Sequence, residues 1–296
     1  MRVFLPKPAV GNIGEYRHIM KGGVQLSERL TEVPHLNGAD VVVLDVHRLS
    51  RAEVQFFVTE GSRKGARVIA IDYSDDPNEL KHRDVPGIDR FLKRSTVLRQ
   101  NGQSVAIVPV AEEVEFLPYC IREDIRSLFD SLDTQIRDVD VSCFHAPSEI
   151  RFGVIQRGKI ARKVAVGLPD RFEQRVGHVG PGGKVGRNVV NEEYVRTMSR
   201  SRVVVTCQPD RWEGDYRTFE ALACGPLVMS DRMLRPPEGL VDGEHIVFYD
   251  GPGDMLSKLK FYLDHEEQRS AIARSGFDHA RAHHRAHHRM EYACRL

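Results

Sequence analysis

The feature that most constrains the fold is a short apolar run, rich in β-branched residues, that recurs between charged amphipathic stretches. In the first half it occurs as "RVFL" (2–5), "ADVVVLDV" (39–46), "ARVIAIDY" (66–73) and "SVAIVPV" (104–110). The second half repeats it as "DVDVSCF" (138–144), "KVAVGL" (163–168), "RVVVTC" (202–207), "PLVMSD" (226–231) and "HIVFYD" (245–250). Runs this short predict strands buried on both faces, and the stretches between them suit crossover helices. Two parallel α/β sheets in series are the simplest fold that satisfies the pattern. At 296 residues the chain also exceeds the roughly 250 at which a single core tends to split.

The segment "EEVEFLPYCIREDIRSLFDSLDTQIRD" (112–138) is charged, lacks glycine and contains Pro118. It reads as a connector plus a helix, with the boundary near Asp133. The expected units are 1–133, 134–275 and a closing helical segment, 276–296. After Tyr249 the residues Met255, Leu256, Leu259, Tyr262 and Leu263 recur at helical spacing, and Gly276 is expected to end one helix before another begins.

Lys plus Arg number 43 against 42 Asp plus Glu, so no whole-molecule field draws the chain to nucleic acid or an anionic membrane. Its five cysteines are widely spaced without a CxxC pair, which argues against a zinc or redox motif and for reduced thiols. No run of eighteen or more apolar residues is present, and the N-terminal apolar run is too short for a signal peptide. The expected location is cytoplasmic.

Within "YRTFEALACGPLVMSDR" (216–232) a helix and a strand are joined with almost no loop. Gly225 suits the left-handed residue that closes a helix, after which Pro226 leads into the next strand. In an open α/β sheet, ligands settle beyond the carboxyl ends of the strands, where helix N-termini present free amides. The helix start, with Tyr216, Arg217, Thr218 and Glu220, is therefore expected to face a ligand. Arg217 and Glu220, three residues apart, lie on one helical face, where a guanidinium suits phosphate oxygens and a carboxylate suits sugar hydroxyls. The plain alternative is a helix that only packs the core.

"FEALACGPLVMSD" resembles the EAxACGxPV motif of GT-B glycosyltransferases, particularly the retaining group 1 type. The variant "YRTFEALACG" is similar to that of the spore-maturation-like subgroup and to segments of exostosin-like enzymes. "YVRTMSRSRVVV" (194–205) and the tail from Gly243 onward resemble the family's elements on either side of the motif, so the resemblance covers about 138–289. It implies two Rossmann-like domains facing across a cleft, the first for the acceptor and the second for a nucleotide-sugar donor. Glu220 matches the family's ribose-binding Glu. The upstream Glu that contacts the donor sugar would fall at Trp212, a departure that leaves Glu213 or Asp215 for that role.

The resemblance also implies an Arg and a Lys on the donor diphosphate: of Arg151, Arg157, Lys159, Arg162 and Lys163, Arg151 is favoured because it lies nearest a strand end, and a solvated basic helix face is the alternative. Gly14, with Gly11, follows the first strand where the family has a donor-facing loop. Asp72, Asp75 and Asp76 follow the third predicted strand and suit acceptor contact or a helix cap. Lys93 and Arg94 read as phosphate contacts or a basic surface turn. "GHVGPGGKVGRN" (177–188) reads as a surface loop, and the stripe His279, His283, His287 as a closing helix that packs back on the first domain rather than a metal site.

The resemblance implies transfer of a hexose from a nucleotide diphosphate sugar, UDP first among carriers, to an acceptor hydroxyl, with retention of configuration. No metal and no cofactor beyond the donor are expected, and no catalytic base is assigned. The acceptor is a glycan or another hydroxyl compound, with a modified nucleic-acid base left open. A sugar-nucleotide epimerase of similar fold and a non-catalytic nucleotide- or glycan-binding module are the alternatives.

Overall fold

The computed structural model describes residues 1–8, 14–74, 80–94, 96–100, 103–106, 114–123, 137–145, 156–177, 190–208, 215–233 and 235–295, and only the backbone of 97–100, 103–106 and 156. The chain divides into two units. Unit 1 holds Met1–Arg99, Val105–Asp124 and His284–Leu296, and unit 2 holds Gln100–Ser104 and Ile125–His283. The expected boundary at 133 lies outside the described residues.

Unit 1 is built on a six-stranded sheet in the order β2-β1-β3-β4-β5-β8, every neighbouring pair parallel. Its strands are β1 (Arg2–Phe4), β2 (Thr31–Glu32), β3 (Val41–Asp45), β4 (Arg67–Asp72), β5 (Arg90–Lys93) and β8 (Val114–Phe116). β3 is buried along its whole length, which is why its sequence shows no polar alternation. A π-helical turn, Tyr16–Lys21, leads into α1 (Gly22–Leu26), and α2 (Arg51–Arg63) starts at a Ser50–Glu53 capping box.

Unit 2 has a five-stranded parallel sheet in the order β10-β9-β11-β12-β13. The strands are β9 (Val139–Cys143), β10 (Gln174–Val176), β11 (Ser201–Val205), β12 (Leu227–Asp231) and β13 (Val247–Tyr249). Its helices are α3 (Gln156–Gly167), α4 (Glu192–Arg200), α5 (Tyr216–Cys224), α6 (Gly251–Asp264) and α7 (Glu266–His283). Val141, Val203, Val205, Leu227 and Met229 of the sheet form one core with Ile160, Val164, Met255 and Leu259. Each such side chain contributes about 1.5–3 kcal/mol by leaving water.

Several expectations are corrected. "KVAVGL" is the end of helix α3, because Ile160, Ala161, Val164 and Leu168 are buried at helical spacing while Val166 is 81% exposed. The described part of the run at 104–110 lies in β7 (Gln103–Ala106), which pairs with β6 (Val97–Gln100) in a separate two-stranded sheet. The strand that joins the sheet is β8, whose charged Glu115 meets Arg90 of β5 at 2.5 Å. Gly276 ends nothing, since α7 runs straight through it. A side chain there would strike the His245 carbonyl and Leu222 of α5, so the glycine serves close packing.

The last helix, α8 (Ala286–Ala293), belongs to unit 1, where Arg285 pairs with Glu123 at 2.9 Å and Arg289 donates to the Tyr119 carbonyl at 3.0 Å. The histidine stripe is thereby split, with His279 and His283 on α7 and His287 on α8. Among the described residues no helix is long and apolar enough to cross a membrane.

Candidate functional site

In unit 2 the strands β9, β11 and β12 end together in a layer of buried polar side chains. Asp215 begins it as the N-cap of α5, its Oδ1 accepting from the Arg217 backbone N–H at 3.2 Å. The other carboxylate oxygen receives two guanidiniums, Arg217 at 2.9 Å and Arg157 of α3. Arg157 also donates to the Cys207 carbonyl at 2.9 Å, which ties α3 to the end of β11. Asp215, Arg157 and Arg217 are 1%, 3% and 7% exposed, so the triad is held out of solvent.

Gln208 is the hub of the layer. Its side-chain oxygen accepts from Asp215 N–H at 2.7 Å, and its amide donates to Thr218 at 3.1 Å and Ser230 at 3.2 Å. Its own backbone N–H donates to Asp231 Oδ1 at 2.7 Å. Beside it, His145 accepts from the Cys207 N–H at 3.1 Å, which requires an unprotonated Nε2. The Tyr249 hydroxyl donates to the Thr206 carbonyl at 2.5 Å, and burial raises its pKa so that it remains a donor.

Glu220 is fully buried one turn into α5, where its Oε2 accepts from the Tyr194 hydroxyl of α4 at 2.7 Å. Tyr194 is steadied from the other side by Phe144, the two rings meeting edge to face at 4.8 Å. α5 closes at Gly225, whose φ of +82° is the left-handed conformation expected there.

The structure therefore gathers Asp215, Tyr216, Arg217, Thr218 and Glu220 at one helix start, but Arg217 does not stand exposed on the Glu220 face. Asp215, two residues earlier, turns its guanidinium inward. Its Nε is buried without an acceptor. Arg151 and Glu213 lie outside the described residues, and of the basic cluster it is Arg157 that reaches the layer while Lys159 and Arg162 are exposed. Gln208, His145, Tyr194 and Asp231 were missed. Asp231 and Gln208 carried a signal, since each is a polar residue at the end of an apolar run.

In unit 1, Gly14 stands just before the π-helical turn, and Asp75 and Asp76 lie outside the described residues, as do 178–188 of the glycine-rich stretch. Asp72 is fully buried at the end of β4, paired with Lys93 at 2.9 Å and capping the Ser74 N–H at 2.8 Å. Both its oxygens are thus engaged within the fold. Lys93 and Arg94 are not a surface turn: both are fully buried, and Arg94 lies over the Tyr119 ring at 4.5 Å. Among the described residues no group of three or more His, Cys, Asp or Glu could hold a metal ion.

Two Rossmann-like parallel sheets, with a helix start at the carboxyl edge of the second, define the GT-B class of fold. Residues 157–295, just under half of the chain, match the family model described as glycosyl transferase-like. No curated protein matches the sequence.

Among solved structures, the Anabaena protein Alr3699/HepE in complex with UDP is similar at a TM-score of 0.57 and 10% identity, covering 98% of this chain and 97% of that one. A glycosyltransferase from Rickettsia africae is similar at 0.59 and 9% identity, covering 98% and 96%. A putative UDP-N-acetylglucosamine 2-epimerase from Listeria monocytogenes is similar at 0.51 and 12%, covering 95% and 94%. At these identities the likeness shows the shared fold.

Proposed function

We propose that the chain is a hexosyltransferase that uses a nucleotide diphosphate sugar, a UDP-sugar first, and transfers the sugar to an acceptor hydroxyl with retention and without a catalytic metal. The observation that carries the reading is the start of α5, where two buried guanidiniums share the single carboxylate of Asp215 and Arg217 keeps a donor without acceptor. A helix N-terminus flanked by guanidiniums suits a diphosphate and stabilises its charge as it departs. The HepE structures with UDP and with UDP-glucose agree with this choice of donor. The spore-maturation-like or exostosin-like assignment rests on "YRTFEALACG" alone, and metal independence on the lack of an Asp-x-Asp donor-metal motif at the carboxyl end of a strand: Asp138-Val139-Asp140 stands at the start of β9, where Asp138 pairs with Arg200 and Asp140 with Arg202.

Catalysis in this reading is positioning plus charge stabilisation. Glu220, presented by Tyr194, binds the ribose. Both oxygens of Asp215 are engaged within the fold, which leaves Glu213 for contact with the donor sugar. Calorimetric titration with UDP tests the assignment: Glu220→Ala should weaken binding at least about tenfold, the cost of a charge-assisted hydrogen bond, with the far-ultraviolet dichroism of the fold retained. Equal affinity would remove Glu220 from the site. Turnover of a UDP-sugar should survive chelation, and interconversion of sugars without UDP release would favour the epimerase instead.

A further inference from the structure

Buried polar atoms without hydrogen-bond partners are rare, and each calls for a ligand, a water or stored strain as its reason. In unit 1 they gather at the carboxyl ends of β3 and β4. Both carboxylate oxygens of Asp45, the Tyr73 hydroxyl, Nδ1 of His47, Nε of Arg48 and Oε2 of Glu15 are all buried there without a hydrogen bond. Asp45 is the last residue of β3 and pairs in register with Ile71, two residues before Tyr73. Glu15 approaches from the helical turn after β1, its Oε2 3.5 Å from the Arg48 guanidinium.

The exposure is graded. The side chains of Arg48 and Glu15 are 25% and 17% exposed, whereas Asp45 and Tyr73 are 1% and 3% exposed, so the polar groups run from a partly open rim to a closed floor. Asp72 stands beside them but is satisfied by Lys93 and Ser74.

We propose that Glu15, Asp45, His47, Arg48 and Tyr73 form a saccharide site, in which Asp45 and Tyr73 bind adjacent hydroxyls of a neutral sugar and Asp45 determines which sugar fits. Under the function proposed above, on which this rests, that sugar is the acceptor.

The chemical class follows from the charges. Glu15 faces Arg48 and Asp72 faces Lys93, which leaves Asp45 as the odd carboxylate. Burial first, then the charge of Glu15, pushes its pKa up to about 7, against a weaker pull from Arg48. Asp45 therefore both donates and accepts near neutral pH. His47 is held neutral, its pKa lowered by burial and then by Arg48. Groups that donate and accept in the same place match vicinal hydroxyls, which do the same. An anion would meet two carboxylates, and an ammonium group would meet Arg48 at the rim.

The test uses the full chain, its Asp45→Leu and Asp45→Asn variants, and four probes: glucose, mannose, N-acetylglucosamine and glucosamine. Ligand-observed NMR and melting temperature are the readouts, with UDP titrated in parallel. At least one neutral sugar should bind wild type, Asp45→Leu should lose that binding, and Asp45→Asn should keep it more weakly but without pH dependence between pH 5 and 8. Both unliganded variants should melt above wild type, because an unpartnered buried carboxyl has gone. Variants that melt lower, sugar binding unaffected by Asp45→Leu, no sugar bound at all, or glucosamine alone bound would each overturn the site. Asp45-dependent sugar binding without any UDP binding would sink the proposed function and leave this site standing, whereas UDP binding alone would do the reverse.

Discussion

Asp45 and Asp215 are both carboxylates at the carboxyl edge of a parallel sheet, and both are 1% exposed. Asp215 in unit 2 is surrounded by two guanidiniums and the backbone N–H of Arg217. Asp45 in unit 1 has no side-chain donor at either oxygen and only the weaker pull of Arg48. Equal burial thus has opposite consequences, because the cost of removing a charge from water is offset only where partners replace the water. The wired edge contributes to folding and presents α5 in one geometry. The unwired edge costs stability, as functional sites commonly do.

The comparison breaks most visibly at Asp215. Asp215→Ala leaves two guanidiniums buried without their carboxylate and removes the α5 cap, so urea denaturation should show a loss of about 3–5 kcal/mol. A loss under about 1 kcal/mol would mean that the layer is not a coupled network.

The opposite sign is expected at Asp45. Its folded pKa of about 7 lies above the 3.8 of an ordinary aspartate, so the folded protein binds more protons in between, and stability falls as pH rises through that window. The decline amounts to roughly 4 kcal/mol at full ionisation. Asp45→Asn should remove it, giving a variant clearly more stable than wild type at pH 8 and more stable by a smaller margin at pH 5. A parallel pair of pH profiles would refute the unwired reading.

The smallest effect sharpens the wired side. Tyr194→Phe deletes one hydrogen bond to Glu220 and should cost about 1–2 kcal/mol in urea. It should also weaken UDP binding by less than Glu220→Ala does, since Tyr194 only presents the carboxylate. A variant with full UDP affinity would detach Tyr194 from the site.

Much of this architecture was legible beforehand because a strand buried on both faces is apolar at most of its positions. β3, β4, β9, β11 and β12 could be read directly, as could the left-handed Gly225. "KVAVGL" misled because six residues hold too little of the helical period, and Ile160 and Ala161 upstream carry the missing phase. β5 was hidden because Lys93 looks like a surface residue until Asp72 is found 2.9 Å from its ammonium group. The motif residues from Asp215 to Glu220 could be chosen from sequence as a group, but their directions could not.

By itself, then, the sequence determined where apolar runs make strands, where α5 starts and stops, and which motif it carries. Local backbone preference and hydrophobic periodicity act over a few residues, so they are written in the chain. The tertiary structure alone decided that Arg157 joins Arg217 at Asp215, that Tyr194 holds Glu220, and that Asp45 is left without a side-chain hydrogen bond. Those outcomes depend on side chains from distant strand ends meeting in a medium that excludes water, where the presence or absence of one partner reverses the sign of a charge's contribution.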